Sequence, residues 1–405
     1  MSYRRLIALT LIGIFAVLIL GRQAVWDALD LETRHRLIAF VSRLTTRRVE
    51  LAEGVAVSPG VANPIGVNVF LDQEASVEAR QQSLDMLHAA GVGWIRQQFA
   101  WKEIERDAKG DFLDRKWNQS AWASYDNIVD LASERDIRII ARVDTSPAWT
   151  RPGNDWEGSP PERYEDLGDF VFALASRYRG RVRAYQVWNE PNLAIEWGRQ
   201  PPDPAAYARL LRLAYARIKQ ADPEAIVVSA AMAPTLEESD QALNELVYLQ
   251  QLYEAGARGS FDVLAVQAYG LRGGPDDRRL SSGDVNFSRP ELVRELIVRN
   301  DDAVRPIWAT EIGWSAQPPG SPVPAPYGAV GSELQARYTV RAFERAREEW
   351  PWMGVMAIWF LKLPAPWEPV QAWHHFSMLE PDFTPHPVYY ALRDYAAARG
   401  LRTQE

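Results

Sequence analysis

The chain has 405 residues, no cysteine, and 45 basic against 53 acidic side chains, for a net charge of −8. Nearly half of the residues are apolar and about a quarter are charged, the balance of a globular domain and not of a disordered or fibrous chain. The missing cysteines exclude a disulfide framework, a thiolate nucleophile, an iron–sulfur cluster and a cysteine zinc site, and the excess of acid argues against nucleic acid as the main partner.

The charge is uneven. Residues 1–50 carry eight Arg and four acids, and the remainder is correspondingly more acidic. The first element, Leu6–Leu20, has one Thr and no charge and follows Arg4 and Arg5. This fits a transmembrane signal-anchor or the core of a signal peptide. A cleavable signal ends in small residues, and Arg22 stands in the −3 position of the only plausible cut. An uncleaved membrane anchor over residues 1–24 is therefore favoured; cleavage would make the protein secreted. The positive-inside rule leaves the chain beyond the anchor extracytoplasmic, in a periplasm or at a cell surface. Residues 25–62 read as an amphipathic helix and linker. Trp26, Leu29, Leu37, Ile38, Val41 and Leu44 alternate with Arg34, Arg36, Arg43, Arg47 and Arg48. Such a helix either lies on anionic headgroups or is a spacer. Ser58, Pro59, Gly60 and Pro64 mark the linker.

Residues 63–405 read as one domain. Short apolar runs alternate with helical patterns: Gly66–Leu71, Gly93–Gln97, Ile137–Asp144, Ala184–Glu190, Ile226–Ala231, Val263–Tyr269, Ile307–Glu311 and Val355–Leu361. Between and after them lie amphipathic stretches such as Ala75–Ala90, Tyr164–Tyr178, Pro204–Ala221, Glu333–Glu349 and Val388–Arg399. The spacing leaves room for a crossover helix each time, and continuous apolar runs suit parallel strands buried on both faces. Eight such units predict an α/β fold, a (β/α)8 TIM barrel, preceded by the N-terminal transmembrane helix. A doubly wound open sheet is the alternative, but no GxGxxG follows the first run.

In a barrel, chemistry gathers where strands end. The strand-end residues are Asn68, Arg96, Asp144, Asn189, Glu190, Tyr269, Glu311 and Trp359. Glu190 and Glu311 close very apolar runs, where a carboxylate is costly unless paired. Each alone could salt-bridge an Arg at the rim. Two of them, on the fourth and seventh units, point at one another across one mouth. Among lesser signals, adjacent His374 and His375 lack a third ligand, so no metal is expected, and nothing calls for a cofactor. Asn118-Gln119-Ser120 and Asn286-Phe287-Ser288 match the glycosylation sequon, which arises often by chance. Asp276-Asp277-Arg278-Arg279 reads as a solvated loop.

Trp188-Asn189-Glu190-Pro191-Asn192 resembles the acid/base motif on strand four of the clan A glycoside hydrolases. Thr310-Glu311-Ile312-Gly313-Trp314-Ser315 resembles their strand-seven nucleophile motif. The likeness extends over residues 63–400 through Gly66-Val67-Asn68, Trp94-Ile95-Arg96, Ser146-Pro147-Ala148-Trp149 and the tail from Met378 to Leu392. It comes nearest to glycoside hydrolase family 39, whose members include β-xylosidases, iduronidases and bacterial exopolysaccharide endoglycosidases. The absence of an appended β-sandwich departs from the xylosidases and is more like the anchored, single-barrel endoglycosidases.

The resemblance implies a retaining hydrolysis of β-glycosidic bonds, with Glu190 as acid/base and Glu311 as nucleophile, about 5–5.5 Å apart. It implies that Arg96 holds Glu311 ionised, that Tyr269 orients it, that Asn189 binds the sugar 2-hydroxyl and that Trp359 forms the floor. Asn68 joins this supporting set. Of the sixteen tryptophans, Trp149, Trp156, Trp197, Trp314, Trp367 and Trp373 fall in predicted loops. There they either pack on sugar C–H faces, as expected of Trp149 and Trp314, or lid the core. The expected partner is a polysaccharide or oligosaccharide, cut internally. Exo-action of the β-xylosidase type, transglycosylation, and a non-catalytic saccharide-binding role beside an export complex are the rival readings.

Overall fold

A computed structural model describes residues 26, 28–47, 49–52, 55, 57, 61–318, 321–364 and 371–401. The anchor expected over Leu6–Leu20 lies outside them. Among the described residues no helix is long and apolar enough to cross a membrane. Helix α1 (Leu31–Thr45) starts where Asp30 accepts the Thr33 backbone N–H at 2.9 Å, which satisfies one of the orphan donors of its first turn.

Eight β–α units follow. The strands are β1 (Ile65–Val69), β2 (Trp94–Ala100), β3 (Arg138–Asp144), β4 (Ala184–Val187), β5 (Ile226–Val228), β6 (Leu264–Tyr269), β7 (Ile307–Gly313) and β8 (Met353–Ile358). The helices after them are α2 (Val77–Ala89), α3 (Ala123–Ser133), α4 (Tyr164–Arg177), α5 (Pro204–Ala221), α6 (Glu245–Glu254), α7 (Arg289–Arg299), α8 (Ser332–Glu349) and α9 (Pro387–Ala398). Every predicted run holds one strand.

The sheet is parallel, in the order β5-β4-β3-β2-β1-β8-β7-β6. The first strand pairs with both the second and the last, and a bridge from Val228 to Val263 joins β5 to the start of β6. The ring therefore closes without a free edge, as a (β/α)8 barrel. At the N-terminal end of the strands the interior is filled by a cluster that includes Trp94, Ile140, Ala184, Val228 and Trp308. The Trp94 and Trp308 rings meet edge to face at 5.1 Å. Trp308 fits because residue 354 is glycine: a Cβ there would stand 2.1 Å from the indole nitrogen. This packed end leaves the opposite end free for a site.

Of the basic segment after the expected anchor, helix α1 (Leu31–Thr45) is docked on the barrel and is not a free spacer. Its contacts reach α7 and α8 on the outer ring. His35 Nδ1 and the Tyr338 hydroxyl lie 2.7 Å apart, Arg337 pairs with Glu32 at 2.6 Å, and Arg47 pairs with Glu295 at 2.8 Å. The Arg278 N–H donates to Ser42 Oγ at 3.0 Å.

Asp276–Arg279 is not a solvated loop. Arg345, fully buried, donates to the Pro275 carbonyl and Ser288 Oγ, each at 2.7 Å, and to Glu291 at 2.6 Å. That guanidinium draws the loop in: Asp277 is buried and accepts from Arg279, Asp276 pairs with Arg341 at 2.9 Å, and Arg278 pairs with Glu349. The second sequon is buried with it, since the Asn286 amide donates to the Arg279 carbonyl at 2.9 Å and Phe287 is in the core.

Candidate active site

Two local departures from regular strand aim the carboxyls. β4 ends at Val187, three residues short of the predicted Glu190. Trp188 and Glu190 adopt φ of 76° and 43°, a left-handed backbone that leaves the sheet. The turn is held by the Trp188 indole N–H donating to the Glu196 carbonyl at 2.8 Å and by the Glu190 N–H donating to the Ala231 carbonyl at 3.0 Å. On β7 the device is a bulge. Val266 pairs with Ala309, yet the next residue, Gln267, pairs with Glu311, so Thr310 is the extra residue. The bulge breaks the alternation of sides, and Glu311 reaches the mouth of the barrel, where it lines the same cavity as Glu190.

Arg96 joins the parts. Buried on β2, it donates from Nε to Gln186 Oε1 at 2.7 Å, from Nη1 to Asn68 Oδ1 at 2.9 Å and Glu311 Oε1 at 2.8 Å, and from Nη2 to Asn189 Oδ1 at 2.9 Å. A buried guanidinium is tolerated only when its donors are matched in this way. Asn68 in turn donates to the Thr310 carbonyl at 2.9 Å and so pins the bulge.

The two carboxyls sit in unlike surroundings. Glu311 accepts from Arg96 on one oxygen and from the Tyr269 hydroxyl on the other at 2.7 Å. Burial first, and the Glu311 charge second, push the Tyr269 phenol well above its ordinary value, so it stays a donor. Among the described residues no cation is in hydrogen-bond contact with Glu190; Gln267 Nε2 donates to it. Burial, then the charges of Glu311 and Glu196, push its carboxyl up to about 8. Glu190 thus holds a proton at neutral pH. A third carboxyl, Glu196, is pushed up to about 7 by burial and by Asp144. Asp144 itself pairs with Arg142 at 2.8 Å.

The cavity is about 640 Å³. Of the predicted residues, Glu190, Glu311, Asn189, Tyr269 and Trp359 line it. Arg96 and Asn68 stand behind it as supports. Two expectations are corrected. Trp314 is fully buried, its N–H donates to the Gly273 carbonyl at 2.7 Å, and it packs so closely on Gly270 that a Cβ there would lie 2.0 Å away. Trp149 lids the core: its N–H donates to the Glu105 carbonyl at 2.9 Å and its ring meets Trp101 edge to face. Trp197 is buried against Trp188, and Trp156 lies under Arg199 at 3.8 Å. Trp373 lines the cavity, and Trp367 lies outside the described residues.

Sequence reasoning missed Gln186, Gln267, Arg142, Glu196 and Tyr327. Gln186 and Gln267 had a signal, a lone amide in an otherwise apolar strand. Glu196 and Tyr327 lie in loops and had none. A larger hollow of about 740 Å³, between Arg151, Tyr164 and Arg209, contains neither member of the carboxyl pair.

A family model described as cellulase (glycosyl hydrolase family 5) matches residues 56–245, which include Glu190 and stop before Glu311. Among solved structures, the chain is similar to a family 39 glycoside hydrolase from the gut symbiont Bacteroides cellulosilyticus WH2, with a TM-score of 0.64 and 19% identity over 84% of this chain and 65% of that one. It is similar to a GH39 enzyme from Xanthomonas axonopodis pv. citri, with a TM-score of 0.59 and 17% identity over 87% of this chain and 69% of that one. A GH5_18 variant from Streptomyces cattleya, solved in complex with Manb1-4GlcNAc, gives a TM-score of 0.61 and 17% identity over 85% of this chain and 82% of that one. The chain thus spans 65% of the length of the first of these. No functionally curated protein matches it. At these identities the structural likeness speaks for the fold. The chain's fold is that of a class of glycoside hydrolases, and the family match over residues 56–245 falls in the same class. Within that class the family model is that of family 5, while two of the three structures come from family 39.

Proposed function

We propose that the protein is a retaining endo-glycosidase of the family 39 type, with Glu190 as acid/base and Glu311 as nucleophile, acting on a bacterial exopolysaccharide or similar β-linked polymer. The observation that carries this reading is the contrast between two carboxyls lining one cavity. One is held protonated by burial, and the other is furnished with a cation and a phenol as donors. Opposed environments of this kind separate acid from nucleophile.

A Glu311 oxygen attacks the anomeric carbon, and the bond from that carbon to the leaving oxygen breaks. The Glu190 proton passes to that oxygen. Glu190, now ionised, takes a proton from water, whose oxygen attacks the same carbon and frees Glu311. Asn189, oriented by Arg96, meets the sugar 2-hydroxyl, and Trp359 underlies the ring. The aromatic border of Trp359, Trp373, Tyr327 and Phe376 supports binding of several sugar units by their C–H faces. Leu6–Leu20 anchors the chain, with the barrel extracytoplasmic.

The test uses the full chain in detergent as wild type, Glu190→Gln and Glu311→Gln, with plant β-glycans and bacterial exopolysaccharides. New reducing ends and product sizes are recorded. Oligosaccharides from wild type alone are expected. Monosaccharides alone would turn the reading to an exo-enzyme, and binding without product to a saccharide-binding protein. An antibody to residues 2–10 that fails to detect the mature protein would remove the anchor.

A further inference from the structure

A surface helix ordinarily turns its apolar stripe inward. Helix α1 does the reverse. The side chains it buries against the barrel are His35 and Ser42, met by Tyr338 and by the Arg278 backbone. Leu37, Phe40, Val41 and Leu44 are left 43%, 63%, 53% and 70% exposed. Their spacing of i, i+3, i+4, i+7 places all four on one stripe, opposite His35 and Ser42. Arg36 and Arg43, seven residues apart, run along one flank of that stripe, and both are exposed, Arg36 while it pairs with Glu32 at 2.7 Å. The helix cannot roll to hide its apolar side, because Glu32 and Arg47 are tied to Arg337 and Glu295.

We propose that this stripe is a membrane-docking surface, seated in the headgroup region of an anionic bilayer. The proposal rests on the reading of Leu6–Leu20 as an anchor. Three observations favour a bilayer as the occupant. The uncharged apolar stretch ends at Leu20, eleven residues before Leu31, so even a fully extended connection keeps α1 within about 40 Å of its end. The flanking arginines complement anionic headgroups while the stripe enters the acyl boundary, the geometry of an interfacial helix. Trp26, between the two, is of the residue type that favours the interface. The docking holds the barrel at a fixed attitude to the membrane instead of on a swinging tether.

The absence of native cysteine makes the test clean. Phe40→Cys and, on the far side of the ring, Trp117→Cys, in the turn between the short antiparallel strands Leu113–Asp114 and Gln119–Ser120, would each carry one environment-sensitive fluorophore. Both positions are largely exposed, so neither change disturbs packing. The labelled full chain is reconstituted into phosphatidylcholine/phosphatidylglycerol vesicles containing lipid with a nitroxide near the glycerol backbone. Flotation is scored first, then quenching. The expected result is a chain that floats, a probe at 40 that is blue-shifted and loses most of its emission to the nitroxide, and a probe at 117 that does not. A floating chain whose probe at 40 stays water-like overturns the docking while leaving the anchor standing. A blue-shifted probe that the nitroxide cannot reach also overturns it, because protein then covers the stripe. A chain that does not float removes the anchor and the docking together.

Discussion

Replacing Glu190 by Gln preserves its shape and leaves an oxygen to accept from Gln267, but removes a group whose proton burial holds. The rise from the ordinary 4.5 to about 8 corresponds to about 4–5 kcal/mol between the two protonation states. Below about pH 4.5 both the folded and the unfolded chain hold this proton. Between there and about pH 8 only the folded chain does, so folding stability falls as pH rises. Above about pH 8 the native protein carries the full penalty of an ionised, buried Glu190. The variant lacks this contribution. Urea unfolding, followed by tryptophan fluorescence from pH 5 to pH 9, should show wild type losing ground to Glu190→Gln by up to about 1.4 kcal/mol per pH unit. The difference should level off above pH 8. Glu196, shifted in the same direction, is present in both proteins and largely cancels. Parallel stability curves across the range would refute the claim that burial keeps Glu190 protonated, and with it the assignment of Glu190 as the acid.

Activity should follow the same proton, with kcat/KM falling on the alkaline side near pH 8 as Glu190 ionises. Tyr269→Phe removes one of the two donors to Glu311; a hydrogen bond to a charged group is worth about 1.5–3 kcal/mol, so kcat/KM should fall about 10- to 100-fold with little change in fold. Arg96→Met strips a buried carboxylate of its cation and should cost about 3–5 kcal/mol in chemical denaturation. Trp314→Phe should lower stability through the lost bond to the Gly273 carbonyl and leave KM unchanged, whereas Trp359→Ala should raise KM; the reverse pattern in steady-state kinetics would place Trp314 in the cavity after all.

The eight strands were legible because a strand buried on both faces must be largely apolar: β8 is so throughout, and β1 and β7 are so apart from Asn68 and from Thr310 and Glu311. Glu190 and Glu311 were legible for the complementary reason, since charge in such a run demands a partner; Arg96 was legible through the resemblance of its strand-two motif. Direction was not legible. Whether Trp314 meets sugar or core depends on Gly270, 44 residues earlier, having no side chain to keep the indole out. The solvated reading of Asp276–Arg279 failed because Arg345, far along the chain, needed those oxygens. For α1 the apolar period was plain, but which face turns inward was decided by polar contacts with α8 and the loop before α7. The strand-four run appeared too long because left-handed backbone at Trp188 and Glu190 leaves no trace in hydropathy.

The hydrogen bonds of Arg96 reach residues 28, 90, 93 and 215 positions away. One guanidinium therefore needs β1, β4 and β7 in place before its charge is matched. A barrel opened at any of these strands would leave a bare cation in an apolar interior. Half-barrels that fold alone are consequently disfavoured, and assembly of the ring is tied to a contact between residues 215 positions apart. The group that supports Glu311 also acts as a checkpoint on completion: a polypeptide chain cut short before β7 would be not only inactive but poorly folded, a natural target for proteolysis.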